Sequence, residues 1–328
     1  MNGSDIRSKL NGLGPKPNEA YTNQEIIDQL KELQVAIAQV VCDGEGDSIV
    51  RADTIVHAVE DRVNGLGLQN TDSFLSFKQD MEMLGRKIAL MISGIRGEKK
   101  GFRALKPLEF DCDTRVLRNV CLKNDEGESE IDAIVVAPYG VFVIEIKQCK
   151  KPVVITADGF YQKVDNPDYQ YPLGERMCCK EMLLREAMGT ALDVPVYPVL
   201  FLVSDSEVTD HFGRVMTVNC NTAVYSIRSY AGGSTCLSSN RISEIVDSIE
   251  ASRFEAKYPC RLDCERLIEN FANLMDQIET AEERKETRVA EFAPVRQAKL
   301  KVALPMAVGL LAAAFGYAAG MLHRLRQE

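Results

Sequence analysis

The chain has 328 residues, enough for about two folded units, and 45% apolar with 27% charged residues excludes wholesale disorder. A net charge of -9 excludes a polycation that coats nucleic acid by bulk attraction, so any phosphate contact must come from a local basic patch. The ten cysteines form no CxxC pair and the three histidines lie far apart, which argues against a zinc site; free thiols in a reducing cytosol are expected.

Residues 1–21 are rich in Gly, Pro and Asn, start without an apolar secretion signal, and read as a flexible N-terminus. Thr22 and Glu25 form a capping box, and Ile26, Leu30, Leu33, Ile37 and Val40 follow at helical spacing. A second helix is expected from Ser48 to Val63, ending in NGLGLQN. A third starts near Ser73, with Phe74, Phe77, Met81, Leu84 and Ile88 on one stripe. Residues 22–93 therefore read as a helical bundle.

From Gly94 the texture changes. GIRGEKKGFRALKPL predicts a short helix, RVLRNVCL a strand, and EIDAIVVAPYGVFVIEIK two strands around a Pro-Tyr-Gly turn. A loop-rich stretch to Pro172, a helix over 175–187 and the apolar strand VPVYPVLFLVS complete an αβββαβ order, an α/β sandwich. Weaker signals run on to residue 252. Residues 253–301 hold a further helix marked by Leu267, Phe271, Leu274 and Ile278, then the charge run EERKETR, read as a solvated stalk.

Val302 to Leu322 contains no charged residue. At about 1.5 Å per residue it reaches roughly 30 Å, the thickness of a bilayer's hydrocarbon layer. The expectation is a transmembrane helix, a single pass near the C-terminus with the N-terminal body cytoplasmic. Gly316 and Gly320 form a GxxxG through which two copies could pair as a homo-oligomer.

The chemistry concentrates in the central hairpin. Glu145 and Lys147 are two apart in a strand and face one side, continuing the face of Val141 and Val143. If the hairpin turns over Tyr139 and Gly140, Asp132 lies opposite Lys147 and diagonal to Glu145. A one-residue change of register would separate them. Two hard oxygen ligands suit Mg2+ or Mn2+, which retain water and accept a phosphate oxygen, and a neighbouring lysine can position that water. The same charges also suit an ion pair in which Lys147 neutralises both acids.

The ordered set Gly97–Glu98, Asp132, Gly140, Glu145–x–Lys147 and Asn166–Pro167 with Gln170 resembles the NERD, or nuclease-related, domain. That domain belongs to the PD-(D/E)XK nuclease-like superfamily. The resemblance spans roughly residues 94 to 205, within an expected domain of 94–252. It implies Asp132 and Glu145 as metal ligands, Lys147 as the catalytic lysine, Glu98 as an auxiliary acid and Gln170 as a residue ordering substrate. Arg96, Lys99, Lys100 and Arg103 flank Glu98, and Lys150 and Lys151 follow the strand; they are candidates for guiding phosphate. Tyr161, Tyr169 and Tyr171 are candidates for stacking on bases.

The function expected is a membrane-anchored, metal-dependent nuclease acting on DNA or RNA, with foreign DNA at the membrane as a target. The rival is a non-catalytic module of the same fold that assembles a membrane complex. Full-length protein is expected to stay with the membrane pellet after alkaline carbonate extraction; release into the supernatant would remove the span over 302–322.

Overall fold

A computed structural model describes residues 2–41, 51–189, 193–230 and 236–288. The apolar segment 302–322 and its GxxxG lie outside these residues. Among the described residues, no helix is long and apolar enough to cross a membrane.

In chain order the elements are α1 (Gly3–Leu10), β1 (Ala20–Tyr21), α2 (Asn23–Val41), α3 (Ala52–Leu66) and α4 (Asp72–Leu105). Then come β2 (Arg115–Asn124), β3 (Gly127–Ala137), β4 (Gly140–Lys147), β5 (Val153–Ile155), β6 (Tyr161–Lys163) and β7 (Asn166–Tyr171). The rest are α5 (Leu173–Ala187), β8 (Val196–Leu202), β9 (Val208–Asp210), β10 (Met216–Asn219), α6 (Ala223–Ser229), α7 (Ser239–Ser252), β11 (Tyr258–Pro259) and a helix α8 over 264–288.

The chain divides into two compact units. The first takes in residues 1–13, 33–82 and 263–328. Its described part is helical, with Phe77 of α4 stacked on Phe271 of α8 at 5.1 Å. Asp80 is buried but satisfied, accepting from Arg266 at 2.7 Å and Asn270 at 2.8 Å. The segment read as a flexible N-terminus contains α1, whose Ile6 and Leu10 are fully buried and whose Arg7 pairs with Glu269. The segment read as a stalk contains α8, whose Leu267, Phe271, Leu274 and Ile278 are buried, while Glu283 to Arg288 beyond them are exposed. Arg7 of α1 also donates to Asn273 of α8 at 2.6 Å.

The second unit covers 14–32 and 83–262. The capping box at the start of α2 is present: Thr22 N–H donates to Glu25 Oε2 at 2.7 Å, and Glu25 N–H to Thr22 Oγ1 at 3.2 Å. A five-stranded sheet runs β10-β8-β4-β3-β2, with β2, β3 and β4 antiparallel and β4, β8 and β10 parallel. Its β4 is central and buried on both sides, which explains the unbroken apolar run VFVI before Glu145. One face packs on α5 and α7; the other packs on the end of α4 and on α6. The αβββαβ order expected from the sequence is present, as α4, β2 to β4, α5 and β8.

Two details differ from expectation. The stripe from Ser73 and the segment GIRGEKKGFRAL are one helix of 34 residues, not two. Its glycines serve close approach rather than termination: a Cβ at Gly97 would lie 3.0 Å from Gln148, and one at Gly101 only 2.8 Å from Ile146. The stretch before Pro172 is not loop alone. It supplies β5, β6 and β7 of a four-stranded sheet ordered β7-β6-β5-β9. Runs of three residues are too short to show a period.

The hairpin turns over Pro138 and Tyr139, pairing Ala137 with Gly140. Gly140 has φ +145, and a Cβ there would meet the Pro195 carbonyl oxygen at 2.7 Å. The next amide, Val141, donates to that same oxygen at 2.9 Å. Gly140→Ala is expected to cost about 1–3 kcal/mol of stability through strain and crowding. A urea titration checks this; an unchanged midpoint would contradict it.

Candidate functional site

The β3–β4 pairing is offset by two residues from the sequence expectation. Ala133 faces Ile144 and Val135 faces Phe142, a register that, extended, sets Asp132 against Glu145 rather than Lys147. A two-residue offset keeps every side chain on its face, so the convergence survives the error. Lys147 Nζ lies 2.5 Å from Glu145 Oε1.

The ladder ends at Ala133–Ile144, and beyond it Asp132 takes over: the Ile146 amide donates to Asp132 Oδ2 at 2.6 Å. Across on β2, Asn119 has φ +48. The alternation changes phase there: Leu117 packs toward the α5 side before it, and Val120 and Leu122 do so after it. That is the signature of an irregularity which re-aims side chains next to a site. It turns Glu130, opposite Cys121, away from the face of Ile131.

Glu145 is the focus. It is 3% exposed. Its Oε1 also accepts from the Tyr171 hydroxyl at 3.0 Å, and its Oε2 is paired with Lys180, itself 4% exposed. The Lys147 ammonium stands 4.3 Å from the Tyr171 ring centroid. Burial alone would raise the Glu145 pKa, but Lys180 and Lys147 outweigh it and hold the carboxyl down at about 2. Asp132 goes the other way. Burial and the Glu145 charge push it up to about 7, against Lys180, the Ile146 amide and Lys147. Lys147 is shifted upward: burial opposes its charge, and Glu145 more than restores it.

Glu98 stands on α4, half-buried, its pKa raised by burial and by the charges of Glu130 and Glu145. It also lines a cavity of about 990 Å3 with Lys99, Phe102, Glu130, Phe254 and Tyr258. Gln170 is exposed on β7 opposite Gln162 and stays out of the cluster; its neighbour Tyr171 is the β7 residue that reaches Glu145. Arg96, Lys99, Lys100, Arg103, Lys150 and Lys151 are all exposed. Lys151 lies 3.8 Å from Asp165. Tyr161 is buried in the core, whereas Tyr169 is exposed, with Lys163 at 4.8 Å from its ring centroid.

Sequence reading missed Lys180 and Tyr171 as partners of Glu145. One signal for Lys180 was legible. It falls in the buried stripe Leu173, Met177, Leu184 and Ala187 of α5, at spacings of four and three, where a charge needs a partner.

Among the described residues no group of three or more His, Cys, Asp or Glu is placed to hold a metal. Two carboxylates on adjoining strands fit an ion of magnesium type, which takes one or two carboxylates and completes its shell with water and phosphate oxygens.

Residues 93–203 match the family model of the nuclease-related domain, NERD. No curated protein and no solved structure matches the chain.

The two acids set opposite pH dependences. Asp132 is raised from 3.8 to about 7, so between those values the folded protein keeps a proton that the unfolded chain has released. Stability therefore falls as pH rises through that window. Glu145 is lowered from 4.5 to about 2; its contribution is present above 4.5 and is lost as pH falls toward about 2. In chelated buffer, Asp132→Asn is expected to abolish the decline between about pH 4 and about pH 7, read by urea titration. An undiminished decline would contradict the assignment.

Proposed function

We propose that this chain is a membrane-tethered phosphodiesterase that cleaves DNA, or RNA, with a divalent metal held by Asp132 and Glu145. The observation that carries the reading is the convergence of Asp132, Glu145 and Lys147 where β3 parts from β4, inside the segment that matches the nuclease-related domain. Magnesium or manganese, when bound, supplies Lewis acidity toward a phosphate oxygen and a more acidic bound water.

The chain's own residues do the rest. Lys147 stays protonated near neutrality because Glu145 holds its charge, so it acts as a fixed cation rather than a general base. It would offset charge developing on the phosphate and orient the attacking water. Tyr171 fixes Glu145 from one side and lies against the Lys147 ammonium from the other. Glu98, neutralised more readily than an exposed acid and lining one cavity with Glu130, would assist proton movement. The exposed Arg96, Lys100 and Arg103 on α4 give an otherwise acidic protein a local surface for phosphate. The segment 302–322 would hold this core at a membrane, where foreign DNA is a substrate in reach.

A second reading has one observation in its favour. Lys180 already neutralises Glu145, as a purely structural ion pair would. In that case the domain is a non-catalytic module.

Plasmid nicking by full-length protein in mild detergent separates the two. With Mg2+ or Mn2+, wild type is expected to cleave, and Lys147→Ala and Glu145→Gln each to lose about 100-fold or more, while Gln170→Ala stays close to wild type. Equal behaviour of wild type and Lys147→Ala, with both folded, would leave the non-catalytic reading.

A further inference from the structure

Glu145 has little capacity left for a metal ion in the arrangement seen. A carboxylate offers about four lone-pair directions. Lys147 and Tyr171 take two on Oε1, and Lys180 takes one on Oε2. Lys180 is no surface lysine that has swung inward: it is set into the buried stripe of α5 between Met177 and Leu184. Its ammonium sits on one of the two acids that the metal reading assigns as ligands.

We propose that Lys180 is a built-in counter-cation that takes the place of a divalent ion between Asp132 and Glu145, and that metal binds only by displacing its ammonium from Glu145. This rests on the metal reading given under Proposed function. The charges explain why such a device works. Lys147 and Lys180 both pair with Glu145, so it is kept ionised and the fold intact without metal. A divalent ion added beside those two cations leaves an excess of positive charge, which an incoming phosphodiester offsets. Metal alone therefore binds weakly, and metal with a phosphate-bearing substrate binds well. The ion is recruited where substrate is, and the resting site stays closed to it.

The test is calorimetric titration of Mn2+ into full-length protein in detergent, with melting curves with and without Mn2+. Lys180→Met is expected to bind Mn2+ about tenfold or more tighter than wild type, because the competing charge is gone. It is also expected to melt lower without metal and recover with it. Lys180→Gln, which keeps a donor toward Glu145, gives the same answer should the methionine variant fail to fold. Unchanged or weaker Mn2+ affinity in a cooperatively melting variant overturns the proposal. So does equal tightening in Lys147→Gln, which would show a general effect of charge removal. If neither wild type nor any variant binds Mn2+, the metal reading itself falls and this proposal with it. Binding by Lys180 variants alone supports both.

Discussion

An ionised carboxylate in a protein interior must be compensated, and the architecture around Glu145 is arranged to do so. It sits in a strand that neighbours cover on both edges and that helices cover on both faces. Lys147 comes from the same strand, Lys180 from the helix above, and Tyr171 from the end of the small inserted sheet. Removing one partner of a buried pair typically costs about 3–5 kcal/mol, whereas the intact set adds little net stability over an apolar replacement.

The second constraint is the parting of β3 from β4. After Ala133 the ladder stops, and the Asp132 carboxylate supplies the acceptor that the Ile146 amide needs. The same irregularity, marked by Asn119 in a left-handed conformation, turns Glu130 toward the cavity that Glu98 lines. Glycines at 97 and 101 let α4 come close enough to Gln148 and Ile146 to bring Glu98 within the field of Glu145.

Much of this was legible in the chain. The αβββαβ order, the central hairpin and the common face of Asp132, Glu145 and Lys147 all follow from alternation and turn residues. The register was misjudged by two because the turn lies over Pro138 and Tyr139, yet side-chain direction repeats every two residues and the face was unaffected. What sequence could not supply was partnership across distance. Lys180 lies 35 residues from Glu145, and its apolar stripe says only that it has a partner, not which one. Gln170 and Tyr171 are neighbours on opposite sides of a short strand, and sequence alone could not tell which reaches the acid. The glycines of α4 imitate a helix end, because nothing local distinguishes a glycine that breaks from one that admits a neighbour. The assignment of α1 and α8 to one helical unit brings together segments more than 250 residues apart, as the Arg7–Glu269 pair shows, which no periodicity reports.

The Glu145 carboxylate is caged by two lysines at the place proposed for a divalent ion. Anomalous diffraction from crystals grown with saturating Mn2+ and a non-cleavable dinucleotide addresses it most directly. The expected result is one strong peak bridging Asp132 and Glu145, with the Lys180 ammonium moved off Glu145. Absence of a peak there, with Lys180 still seated on the carboxylate, would contradict it.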